Sequence, residues 1–256
     1  MQLPLIPRGM HARAWPPVLA TRGPGGPCAW HSHHSLRFAL ALEGEVRIRT
    51  TRLGKWSSAP GVLTAPDAAH VLDAQGAQLL LVFLDPESIT GAPFRDALNG
   101  PVRLISDGER KAMTSDVVPQ TILRAGAAAW ARKAADALRL RAPAAPRSVH
   151  PRVRALLSLL KNGGIGHATS LEGLARAVGL SPSRLMHVFT TSVGIPLRPY
   201  LAWLRVQRAA IEIVSGNPLS DAALAAGFSD AAHMSRTFRR MLGIPPSLLR
   251  AMKCSV

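Results

Sequence analysis

The chain has 256 residues, enough for two domains that each bury a core, and its 31 Lys and Arg against 15 Asp and Glu give a formal net charge of +16. The excess is uneven: residues 143–256 hold 14 basic and 4 acidic side chains (+10), whereas residues 1–142 hold 17 and 11 (+6). This balance points to a polyanionic partner without separating DNA from RNA or an anionic membrane, while the two cysteines, Cys28 and Cys254, exclude a disulfide framework or a cysteine zinc site.

At the N-terminus, MQLPLIPRGM lacks the charged region and long apolar core of a signal peptide, and the longest apolar run, near Leu79–Leu84, is too short to span a bilayer. A cytoplasmic chain with inert thiols and no membrane partner is expected. Residues 1–26 are rich in Pro and Gly without a steady period and read as an irregular lead-in. From Leu36 short runs alternate, as in Glu45–Arg49, where Val46 and Ile48 share one face. Further strands are expected at Val62–Thr64 and Gln78–Leu84, separated by the turn formers Pro60-Gly61 and Pro66-Asp67. Several short strands at this spacing predict a small barrel or sandwich.

Two histidine clusters punctuate this region, Trp30-His31-Ser32-His33-His34 and Pro66-Asp67-Ala68-Ala69-His70. In extended backbone His31 and His33 point the same way, and His70 from another strand would complete a facial set for a divalent metal. The spacing resembles that of a cupin barrel, with Gly26 before the pair, Gly44 after it and Pro66–His70 as the second motif. Arg37 and Phe38 stand where that pattern has a carboxylate, four or five residues after His33. Three uses stay open: a small-molecule effector pocket lined by Trp30, His31, His33 and His70; a divalent-metal site of His31, His33 and His70; and histidines that serve packing alone. Trp30 and Trp56 supply either an apolar wall or core.

After Pro93 the pattern turns helical. Between Thr121 and Arg141, Leu123, Ala127, Trp130, Ala134 and Leu138 form one stripe, which needs a partner surface on its own barrel or on a second copy of the chain. Arg141–Arg147 contains Pro143 and Pro146 and reads as an extended linker.

The last third holds one short pattern twice: Gly179-Leu180-Ser181, Phe189, Gly194-Ile195-Pro196, and then Gly227-Phe228-Ser229, Phe238, Gly243-Ile244-Pro245. In the first copy Thr169 or Ser170 caps a helix with Leu171, Leu174, Ala175 and Val178 inside, Glu172 completing a capping box with Thr169. Gly179 stops it, and Ser181-Pro182 starts a second helix with Leu185, Val188 and Phe189 inside and Ser183, Arg184, Met186, His187 and Thr190 outside. In the second copy Ser220 is the expected cap, with Ala223, Leu224 and Ala226 inside. Gly227 is the stop, and a helix near Ala231–Leu242 buries Met234, Phe238 and Met241. Its outer face presents Ala231, Ala232, His233, Ser235, Arg236, Arg239 and Arg240. Between the copies Pro196–Val214 reads as one helix with Leu197, Leu201, Leu204, Ala209 and Ile213 apolar. A short helix behind a glycine turn, facing outward with small and basic residues, suits entry into a major groove.

The block Leu171–Arg250 resembles the DNA-binding domain of AraC/XylS-type transcription regulators. The residues that carry the resemblance include Leu174-Ala175, Gly179-Leu180-Ser181, Phe189, Gly194, Pro196, Tyr200, Arg205, Ala209, Gly227-Phe228-Ser229-Asp230, Ser235–Arg240, Gly243 and Pro245-Pro246. Leu249-Arg250 departs from the aromatic-Arg ending common in the family. The resemblance implies an all-α domain with two helix-turn-helix units joined by a long helix. It places Ser183, Met186 and His187 at base-contacting positions in the first unit, and Ala231, Ala232, His233 and Arg236 in the second. With Ser181, Arg184, Thr190, Ser229, Ser235, Arg239 and Arg240 these are the expected DNA contacts.

The expected architecture is α+β in two domains: a cupin-like β-barrel followed by helices over 1–141, a linker over 142–149, and the helical domain over 150–256. The expected function is a non-enzymatic, sequence-specific regulator that binds double-stranded operator DNA and senses a small molecule or divalent metal. RNA polymerase is a further expected partner, and a second copy of the chain, through residues 121–141, another. The rival reading is a metal-dependent cupin enzyme with a basic C-terminal domain, motivated by His31, His33 and His70.

Overall fold

The computed structural model describes residues 18–115, 127–140, 149–161 and 170–251. Leu123, Thr169, Cys254 and the expected linker, but for Val149, lie outside them. The described residues form two compact units, one of residues 18–140 with 238–251, the other of 149–237.

In the first unit the strands build two sheets. One has five strands in the order β1 (Val18–Pro24), β7 (Gln78–Leu84), β2 (Leu36–Ala41), β5 (Gly61–Thr64) and β8 (Val102–Ile105), all neighbours antiparallel. The other has three, in the order β4 (Ser57–Ala59), β3 (Val46–Arg49) and β6 (Val71–Asp73). The alternation of Val46 and Ile48 with Arg47 and Arg49 is retained in β3, where the aliphatic pair is buried and the arginines half-buried. Among the described residues no ladder joins these sheets into the closed barrel that the histidine spacing suggested. The edges of the smaller sheet are β4 and β6, three residues each, and neither pairs with a strand of the larger sheet.

β2 is buried along its whole length because both of its faces are covered. Leu36, Phe38 and Leu40 join a core with Leu80, Val82 and Leu84 of β7 and with helix residues Phe94, Met113 and Trp130. Ala39 and Ala41 join a second core with Val46, Ile48 and Leu72 of the three-stranded sheet. The helices of the first core are α1 (Ala92–Asp96), α2 (Asp107–Thr114) and α3 (Ala127–Ala137). Trp130, Ala134 and the following Leu138 all lie in it, and the Trp130 indole N–H donates to the Met113 carbonyl at 3.0 Å. This part of the expected stripe is therefore taken by the unit's own sheet, and is not left free for a second copy.

The remaining helices are α4 (Pro151–Lys161), α5 (Leu171–Ala177), α6 (Pro182–Val193), α7 (Leu197–Val214), α8 (Leu219–Ala225), α9 (Ala231–Leu242) and α10 (Pro246–Ala251). Val153, Leu156 and Leu160 of α4, Leu174 and Ala175 of α5, Leu185 and Phe189 of α6, and Leu197, Tyr200 and Leu204 of α7 share one core. Phe189 and Tyr200 meet edge to face at 5.3 Å. No helix of the described residues is long and apolar enough to cross a membrane.

Ser170, one of the two expected caps, caps α5, accepting from the Gly173 N–H at 3.2 Å. Two local expectations need correction. Ser220 is not a cap: α8 starts at Leu219 behind Pro218, and the Ser220 hydroxyl turns to Asp221 at 3.0 Å. Leu224 is 62% exposed, because Ala222, Ala223 and Ala226 fill the inner face and Leu224 lies about 200° round the helix from Ala222.

Candidate functional site

The repeated pattern produces a repeated geometry. After α5, Gly179 turns left-handed at φ +65°, its N–H reaching the Arg176 carbonyl and the Leu180 N–H the Ala175 carbonyl at 2.9 Å. After α8, Gly227 does the same at φ +83°, with its N–H on Leu224 and the Phe228 N–H on the Ala223 carbonyl at 2.9 Å. A side chain on either glycine would strain this left-handed turn. The helices that follow also end alike, Gly194 bonding to Thr190 and Gly243 to Arg239, both with positive φ.

Their starts differ. In α6 the Ser181 hydroxyl accepts from the Arg184 N–H at 3.3 Å, as the sequence predicts. In α9 the Asp230 carboxylate accepts from the His233 N–H at 2.6 Å. Ser229 joins this cap through Asp230 at 2.9 Å and the His233 ring at 3.1 Å, and Phe228 packs edge-on against that ring at 5.2 Å. The backbone bond from His233 holds the Asp230 carboxyl below its usual range. Asp230 was missed as a cap, although an Asx residue directly before an Ala-rich helix is the signal for one.

The expected DNA contacts fall into groups. Ser183, Arg184, Met186, His187 and Thr190 are exposed on α6, and Ala232, Arg236, Arg239 and Arg240 on α9. Ala231, His233 and Ser235 are half-exposed on α9. Two hydroxyls have local work, Ser181 capping α6 and Thr190 donating to the Met186 carbonyl at 2.9 Å. Arg184, Arg236, Arg239 and Arg240 make no ion pair with a carboxylate among the described residues, so their charge is available to an outside anion. Both helices thus present what a helix-turn-helix presents to a major groove, and the chain carries two of them.

Comparison with known proteins agrees. Residues 174–252 match the family model described as a helix-turn-helix domain. The chain is 34% identical over 89 residues to the transcriptional activator AarP of Providencia stuartii, covering 34% of this chain and 66% of AarP. It is 29% identical over 109 residues to the arabinose operon regulatory protein of Escherichia coli (strain K12), covering 41% and 37%. An uncharacterized regulator of Staphylococcus aureus (strain MSSA476) matches at 34% over 82 residues, 11% of its own length. The crystal structure of ToxT from Vibrio cholerae O395 superposes with a TM-score of 0.60 at 9% identity, over 94% of this chain and 99% of that one. Residues 174–252 are thus a helix-turn-helix domain. The whole chain shares the two-part α+β fold of ToxT, with sheets in its N-terminal part and helices in its C-terminal part.

The histidines of the first unit form a separate cluster. His31 and His70 bridge through reciprocal backbone hydrogen bonds of 3.0 and 2.9 Å. The three imidazoles of His31, His33 and His70 are buried and offer ligand atoms within 4.8 Å of one another. Each Nδ1 is engaged: His31 with the Ala29 carbonyl at 2.8 Å, His70 with the Ala68 carbonyl at 2.8 Å, and His33 with the Ser35 hydroxyl at 2.9 Å. The inner position belongs to Arg37, whose guanidinium donates to His31 Nε2 at 3.1 Å and to His70 Nε2 at 2.5 Å. Burial first, and then the charge of Arg37, push His31 down to about 3 and His70 to about 2, and His33 well down, so all three rings are neutral.

This donor set does not fit a resident divalent metal while Arg37 is present, because an ion about 2.0–2.1 Å from these nitrogens would meet the guanidinium. Trp30 carries the Arg52 guanidinium over its ring at 5.4 Å. Trp56 is 38% exposed beneath Arg47 and Arg49. Neither tryptophan is core. Cys28 is half-buried, donates to the Leu72 carbonyl at 3.1 Å, and is pushed up by burial, which keeps it a thiol.

Sequence reasoning missed a second buried network beside this one. His34 contacts Asp67 through Nδ1 and Glu87 through Nε2, both at 2.7 Å. Burial alone would lower its pKa, but these bonds and carboxylate charges outweigh it and raise the imidazole to about 9.

Proposed function

We propose that this chain is a sequence-specific DNA-binding transcription regulator, with an effector-responsive N-terminal module over 1–141, a linker over 142–149 and a DNA-reading module over 150–256. The observation that carries the reading is the duplicated turn, Gly179 and Gly227, each setting up a helix whose outer face carries arginine, Arg184 in α6 and Arg236, Arg239 and Arg240 in α9, with no ion pair among the described residues. The contacts we assign are Ser183, Arg184, Met186 and His187 in α6, and Ala231, Ala232, His233, Ser235, Arg236, Arg239 and Arg240 in α9. Ser181 and Ser229, at the helix starts, are placed near phosphates, and Thr190 at the groove edge. Arginine is suited to guanine edges and phosphate oxygens, and alanine to the thymine methyl.

A cupin-like arrangement of the N-terminal sheets is part of the reading, with the region of Trp30, His31, His33 and His70 taking a small molecule. A structure of ToxT, a protein of the same fold, holds an unsaturated fatty acid, which supports a small-molecule role without naming the ligand here. RNA polymerase is the proposed downstream partner, the location is cytoplasmic, and no enzymatic step is assigned. A homodimer through the 121–141 segment would use the polar face of α3, with Arg132 and Asp136, since its apolar stripe is occupied.

Gel-shift titration of the full chain on genomic fragments tests the reading. Saturable binding to particular fragments that weakens with salt supports it, and binding that is absent or indifferent to sequence overturns it.

A further inference from the structure

A guanidinium has five donors and no acceptor, so both imidazoles that meet Arg37 must accept with a bare Nε2. The carbonyls of Ala29 and Ala68 on the other nitrogens select that tautomer. Metal-binding histidines are oriented in the same way, with Nδ1–H on a carbonyl and the Nε2 lone pair on the ion. The cluster therefore has the supporting bonds of a metal site and a different cation in it. Among the described residues Nε of Arg37 has no hydrogen-bond partner and no carboxylate pairs with the side chain, and the His31 and His70 imidazoles accept from its two terminal nitrogens.

We propose that Arg37 is the resident cation of this cage: its guanidinium takes the place of a divalent metal and excludes one, and His31, His33 and His70 become a divalent-metal site once that charge is removed. Four residues after His33, where the cupin pattern has an anionic ligand, this chain has a cation. The swap reverses the charge of the cluster while leaving its three nitrogen donors in place. The proposal narrows the N-terminal reading above to a site that is not metal-responsive, and it is independent of whether the chain binds DNA.

The test is cobalt(II) titration of the purified full chain followed by its visible ligand-field bands. The wild type is expected to show no bands at one equivalent, and Arg37→Gln to bind one equivalent. A unit charge about 4 Å from a dication weakens binding about thirtyfold even at the dielectric of water, so at least that difference in affinity is expected. Arg37→Lys, which keeps the charge, should still exclude the ion, and adding His70→Gln to Arg37→Gln should abolish the bands. Equal affinity of wild type and Arg37→Gln, a folded Arg37→Gln without bands, or bands that survive His70→Gln would each overturn the proposal. A wild-type measurement covers failure of the variants to fold. In nitrogen-15 spectra His31 and His70 should be Nδ1–H tautomers unchanged by one equivalent of zinc, and zinc-induced shifts at their Nε2 atoms would contradict it.

Discussion

Arg236 sits two turns before the end of an exposed helix face, near Asp230, whose carboxylate is committed to the helix start. Its replacement by Ala should relax preference at one base position and cost about 1–3 kcal/mol of specific binding, read by competition among single-base operator variants. A loss equal for every sequence would instead mark a phosphate contact. In the first unit His34 makes a pH prediction. Its pKa is raised from an ordinary 6.5 to about 9, so its stabilising effect is full below 6.5 and is lost as pH rises through about 9. Thermal melts should show wild type losing stability over that window while His34→Gln, less stable at neutral pH, loses none there. The exposed face of α9, with Ala232, Arg236, Arg239 and Arg240, was legible because these residues follow a glycine turn at helical spacing. Arg37 and the His34 network were not, since a single sequence shows that a carboxylate is missing but not which side chain fills the gap.

Among the elements, α3 offers the sharpest test. Trp130 is buried, meets Phe38 edge to face at 5.3 Å and donates to Met113. Trp130→Ala should cost about 3–5 kcal/mol of stability in the N-terminal unit, measured by denaturant unfolding. It should leave the oligomeric state seen by light scattering unchanged, and a shift in mass without loss of stability would return the stripe to an intermolecular role. At the other unit, Ser181→Ala should cost about 1 kcal/mol through loss of the α6 cap. Strands and helices with a clean period were read correctly, as at Val46–Arg49 and Leu197–Val214, because burial imposes that period. Leu224 and Ser220 were misread because a seven-residue helix has little room for a pattern. Ala222, Ala223 and Ala226 are fully buried there, while the larger Leu224 takes the outer face.

At the scale of the whole molecule, the two readers are joined by α7, whose 18 residues make a rod of about 27 Å. That approaches the roughly 34 Å of one turn of B-DNA, and the proposed reading of two successive major-groove segments by one chain rests on this match. The readers are chemically unequal, α9 presenting three exposed arginines and α6 one. Scrambling the half-site under α9 should therefore weaken binding more than scrambling the one under α6. The separation into sheet and helix parts was visible in the change of period along the chain, while the division into two sheets rather than a closed barrel depends on strand pairings that no local pattern encodes. The central claim is that the duplicated helix-turn-helix reads DNA, and footprinting of the full chain on fragments selected from its own genome, repeated between about 50 and 200 mM salt, tests it most directly. The account predicts two protected patches on one face of the duplex, about one helical turn apart, with affinity falling steeply as salt rises. A single patch, no protection, or affinity indifferent to salt would contradict it.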